Sequence, residues 1–126
     1  MATVPLNYFR RVSQTLPTTL TQVYSAPDST AAIMLTMLAS NNTNNTQTIT
    51  IGVSGLGGQN GNILPNPYVN IVKNFQLPPN DVTNIIIGKV VLQNYDALYA
   101  LCTAASAVDL TVSILETLNT TAVVTY

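Results

Sequence analysis

The chain has 126 residues, 47% of them hydrophobic, which fits one domain able to bury a core without disulfides or metal. Only 7% are charged and the net charge is −1, against roughly 25% charged residues in ordinary soluble domains. Four cations (Arg10, Arg11, Lys73 and Lys89) argue against a nucleic-acid partner, whose phosphates normally need clustered Lys and Arg. Polarity comes instead from Thr and Asn, in runs such as "NNTNNTQTIT". Such a neutral surface gives little colloidal repulsion and suits a protein held against partners.

In chain order, residues 1–19 read as an N-terminal arm carrying Arg10 and Arg11, either solvated or anchored on an acidic patch of a partner. "MATVPLNYFRR" lacks the basic-then-apolar order of a signal peptide, so the glycosylation matches at Asn41, Asn44 and Asn119 read as chance. "QVYSA" and "AAIMLTML" read as strands separated by the turn "PDST". The second also has helical propensity, but its neighbours are strands and an Asn-rich loop follows. "TITIGV" sets Ile49, Ile51 and Val53 against Thr48, Thr50 and Gly52, the period of a half-buried strand. The long Gly- and Pro-rich loop "SGLGGQNGNILPNPY" follows.

"YVNIVKNFQL" predicts Val69, Ile71, Phe75 and Leu77 on one face of a strand, with Lys73 marking an edge. "NIIIGKVVL" is strongly β-branched, and Gly88 predicts a bulge or tight bend. "QNYD" then reads as the turn of a buried hairpin into "ALYALCTAA", where Cys102 shares a face with Leu98 and Ala100. Lys89, Asn94 and Asp96 interrupt this apolar region too often for a membrane helix, so no membrane partner is expected. "DLTVSI" sets Leu110, Val112 and Ile114 on one face, and residues 119–126 read as a C-terminal strand or tail. The seven candidates in residues 20–118 predict an all-β domain, an antiparallel β-sandwich or jelly roll of seven to eight strands.

No arrangement of residues points to catalysis, a cofactor or a metal. The chain has no histidine and one cysteine, which leaves a catalytic thiol without a base and a metal with oxygen ligands only. "GLGGQNG" has Asn60 where the third glycine of a dinucleotide loop belongs, and prolines occupy the place of the following helix. Asp28, Asp81 and Asp96 sit in turn contexts, and Asp109 and Glu116 stand singly. Residues expected to meet a partner are Arg10, Arg11, Asn60, Tyr68 and Tyr126. Tyr68 with Asn60 and Asn62 would also serve as a shallow sugar site, which keeps a carbohydrate-binding module as the alternative from another class.

The order of segments resembles a group of small structural proteins of tailed-bacteriophage virions. The match rests on Tyr24 to Pro27, Val72 to Asn74, Gly88 to Leu92, Asp96 to Leu98 and Ser113 to Glu116, within residues 20–118. The resemblance implies a non-enzymatic β-sandwich without cofactor, located in the virion after assembly in the host bacterial cytoplasm. It implies a capsid decoration (cement) protein that binds the major capsid protein as a homo-oligomer, with a trimer favoured. A tail, baseplate or fibre component is the alternative that shares the fold.

Overall fold

The computed structural model describes residues 7–55, 68–93 and 95–118. They form nine strands and, among the described residues, no helix. The strands are β1 (Asn7–Thr15), β2 (Thr21–Ser25), β3 (Thr30–Asn41), β4 (Gln47–Ser54), β5 (Tyr68–Leu77), β6 (Val82–Asn84), β7 (Val90–Leu92), β8 (Ala97–Cys102) and β9 (Val108–Leu118). One sheet has the order β1-β9-β3-β6, with β7 pairing β3 beside β6; the other has the order β2-β8-β4-β5. All pairings are antiparallel, and the chain crosses between the sheets at every connection except β4–β5 and β6–β7. The predicted β-sandwich is therefore the fold observed.

Strict alternation on β9 generates the core. Val108, Leu110, Val112 and Ile114 are fully buried, while the intervening Asp109, Thr111, Ser113 and Leu115 lie on the outer face. Ile49 and Ile51 of β4 and Leu98, Ala100 and Cys102 of β8 belong to the same buried cluster. On β3, Met34 and Met37 are both fully buried despite their odd separation. A register shift between Met34 and Thr36 accounts for this, because one extra residue restores both methionines to the inner face. The bulge imitates a helical spacing in the sequence, yet the segment pairs with strands on both edges.

Polar side chains close the turns. Asn41 is 1% exposed, and its Nδ2 donates to the carbonyls of Asn45 (2.8 Å), Leu77 (3.0 Å) and Pro78 (3.1 Å). Its Oδ1 accepts from Thr43 N at 3.0 Å and Thr43 Oγ1 at 2.8 Å. One amide thereby ties the Asn-rich β3–β4 loop to the end of β5. The aspartates expected in turns include Asp81, whose Oδ1 accepts from Val82 N at 2.8 Å, and Asp96, whose Oδ2 accepts from Gln93 N at 2.9 Å.

Four expectations are corrected. Residues 7–15, expected within an arm, form β1 and pair with β9 without a break from Asn7↔Thr117 to Thr15↔Asp109. The apolar period is invisible there because the inward face carries Tyr8, Arg10, Val12 and Gln14. "NIIIGKVVL" is not one strand: β6 and β7 are short segments on the same edge of β3, joined through buried Ile85 and Ile86. Gly88, at φ 84°, supplies the left-handed bend between them. Nor do β7 and β8 form a hairpin, since β7 belongs to one sheet and β8 to the other. The crossing is fixed by Tyr95 N donating to Ala26 O at 2.8 Å and Ala26 N donating to Asp96 O at 2.9 Å. On β5, register shifts and Asn74 at φ 54° break the expected face, so that Val72 rather than Ile71 opposes buried Ile51. Leu77 is fully buried, whereas Val69 is 56% exposed.

Candidate interaction surface

Extended geometry sends Arg10 and Arg11 to opposite faces of β1, so the one basic pair of the sequence is not a patch. Arg10 points inward, where its Nε donates to Glu116 Oε2 at 2.9 Å. Its guanidinium also lies 5.5 Å from the Tyr8 ring centroid, and Nη2 reaches the Tyr8 hydroxyl at 3.3 Å. Tyr24 of β2 donates its hydroxyl to the same carboxylate oxygen from the opposite sheet. A bulge at Val23 turns both Val23 and Tyr24 toward the interior. Glu116 thereby links β9, β1 and β2, and it is fully buried.

Burial by itself would raise the Glu116 carboxyl, but hydrogen bonds from Tyr24, Tyr8 and Arg10, with the Arg10 charge, hold it below its ordinary value of 4.5. Burial, reinforced by the bond to Glu116 and its charge, pushes Tyr24 well above its ordinary range, so its hydroxyl remains a donor. Oε1 of Glu116 has no hydrogen-bond partner among the described residues. The cluster is a structural clasp. Glu116 was legible in principle, because it continues the inward parity of Leu110, Val112 and Ile114 by one step.

The outward residues of the same sheet form a different feature. Phe9 stands opposite Leu115, Leu115 opposite Ile33, and Ile33 opposite Val91. Cross-strand register thus lays one apolar row across β1, β9, β3 and β7. Phe9 is 77% exposed and Val91 59% exposed, with Leu115 and Ile33 half-buried between them. Ile87, in the bend leading to β7, is fully exposed. Polar or small residues flank the stripe: Arg11 and Ser113 with Thr36 on one side, Asn7 and Thr117 with Ala31 on the other. Large apolar side chains aligned on an outer sheet face mark a surface suited to contact with another molecule. The sequence conceals it, because its members come from four separate segments and only register brings them together.

Of the expected contact residues, Arg10 and Arg11 lie on β1, and Tyr68 lies on β5 at an edge of the other sheet. Tyr68 covers Gly52: a Cβ added to that glycine would overlap the phenol ring. Its ring is also edge-on to Tyr99, with centroids 6.2 Å apart and planes at 76°. Tyr68 therefore packs on the outer face of its own sheet, where an aromatic ring supplies the cover that glycine lacks. Asn60, Asn62 and Tyr126 fall outside the described residues. Cys102 is buried, with its thiol 2.9 Å from Ala104 O. Among the described residues, no group of three His, Cys, Asp or Glu side chains is placed to hold a metal ion.

Two consequences are measurable. A carboxylate held below its ordinary value stabilises the fold above 4.5, and that contribution is lost as pH falls through the folded-state pKa. Acid titration of stability should therefore fall more steeply below pH 4.5 for the wild type than for Glu116→Gln; equal slopes would show that Glu116 does not stabilise the fold as an anion. Gly52→Ala should cost less than about 1 kcal/mol in a denaturant melt, because the far end of the Tyr68 ring, 37% exposed, can swing aside. Most of that cost should vanish in a Tyr68→Ala background, since the clash is with that ring.

No family model matches the chain, and no curated protein matches it. Among solved structures, it is similar to one described as "Bacillus endospore appendages form a novel family of disulfide-linked pili". The two are 15% identical, the match covers 91% of this chain and 88% of the other, and the TM-score is 0.49. Nothing about function is carried across at that distance.

Proposed function

We propose that the chain is a non-enzymatic structural subunit that works in many copies, specifically a bacteriophage decoration protein bound to the outside of a major capsid protein shell. The observation that carries this reading is the exposed row Phe9–Leu115–Ile33–Val91 on a surface with very little charge. The sequence resemblance to tailed-phage virion proteins supplies the partner. Burying an exposed Phe or Val is worth roughly 1.5–3 kcal/mol, so one such row gives modest affinity per copy. Repetition over a shell converts modest contacts into secure attachment, without a dominant hot spot in any one copy. The clasp of Arg10 and Tyr24 on buried Glu116 keeps β1, and therefore Phe9, in place on that face.

The test uses particles stripped mildly of this protein and then reconstituted. Stripped heads should lose heat resistance, and wild-type protein should restore it. Phe9→Ser should rebind roughly 10- to 100-fold more weakly, the equivalent of one buried aromatic side chain. Heads equally heat-resistant with and without the protein would overturn the decoration role. Recovery of the protein with tails alone would place it in the tail or baseplate instead.

A further inference from the structure

The four sheet edges are not equivalent. β2 has five residues and a bulge at Val23. β6 and β7 have three residues each and are separated by the irregular 85–89 segment. β5 is long, but it carries Lys73, two register shifts and a left-handed Asn74. Bulges, interruptions, short length and lysine are the usual devices that keep an edge from pairing. β1 has no bulge, interruption or lysine: nine residues run in unbroken register with β9, among the described residues no strand pairs with its other edge, and its charges are Arg10 and Arg11. Its single inward charge, Arg10, is matched by Glu116 and does not guard the edge as an isolated cation would.

We propose that the free edge of β1 pairs with β1 of a second copy of this chain, antiparallel about a twofold axis at Phe9. Charge narrows the choice of register, and the apolar row decides it. Antiparallel self-pairing centred on Arg10 or on Arg11 would set two arginines of the same type directly opposite each other, which is unfavourable. Centring on Phe9 sets Phe9 against Phe9, Tyr8 against Arg10 and Asn7 against Arg11, with no like charges facing. Tyr8 then offers its ring to the partner's Arg10, as it does within the chain, where ring and guanidinium lie 5.5 Å apart. A register centred on Val12 also avoids facing charges, but it sets Phe9 against Thr15. The Phe9 register alone makes the apolar row continuous, from Val91 through Ile33, Leu115 and Phe9 into the partner's Phe9, Leu115, Ile33 and Val91. The interface is isologous and closes at two copies. A trimer would have to use another surface.

The purified full-length chain, with no capsid present, tests this independently of the decoration role. Sedimentation across a concentration series should show a monomer–dimer equilibrium. Phe9→Cys should form a disulfide-linked dimer under mild oxidation, because directly opposed residues lie about 4.5–5.5 Å apart. The wild type should not, since its one cysteine, Cys102, is 1% exposed. Phe9→Lys, at a side chain 77% exposed, should keep an unchanged circular dichroism spectrum and sediment as a monomer. Cross-linking through Val12→Cys but not Phe9→Cys, a trimer or open polymer, or a Phe9→Lys variant that still dimerises would each overturn the proposal.

Discussion

Every other feature of this molecule depends on β9 being paired along both edges. Its eleven residues meet β3 from Val108 to Leu118 and β1 from Asp109 to Thr117. A strand confined on both sides cannot slip by one residue without turning its inward set to the solvent. That set, from Val108 to Glu116, supplies four fully buried aliphatic side chains and one fully buried acid. The register fixed by β9 also decides what lies outside, since Leu115 is flanked by Phe9 and Ile33 for the same geometric reason that Ile114 is buried.

Glu116 extends this constraint to a strand that would otherwise hold weakly. β1 contributes little apolar burial, with Val12 its one aliphatic side chain packed against the core. Anchoring comes from Leu16, fully buried just beyond the strand, with its N–H donating to Val108 O at 2.9 Å. It comes also from Arg10, which meets a carboxylate already held by Tyr24 of the other sheet. A buried carboxylate without such partners would be strongly unfavourable, so the clasp forms as a unit or not at all. The result is an edge strand fixed in position, with no strand among the described residues on its outer edge and with Phe9 exposed on its outer face.

The core strands were legible in the sequence wherever alternation was clean. "TITIGV" and "DLTVSI" declare their buried faces, and the structure buries Ile49, Ile51, Leu110, Val112 and Ile114 completely. Legibility failed where one inserted residue changed the parity, as at Leu35 on β3 and near Asn74 on β5. It failed again for β1, because a polar inner face satisfied by long-range hydrogen bonds has no hydrophobic period to detect. The segment from Asn84 to Ser106 was half legible: Gly88 signalled the bend that is observed, but a uniform β-branched run does not show that the bend separates two strands, or that the next strand joins the opposite sheet. The apolar outer row was beyond sequence reading, since its four members are adjacent only through pairing.

Amide hydrogen exchange on the isolated chain tests most directly whether β1 is an integral strand held by β9 and the Glu116 clasp. Exchange should be slowest in β9 and β3, with alternate amides of residues 7–15 protected to a level set by β9. Uniformly fast exchange throughout residues 7–15, alongside protected β9 and β3, would contradict it.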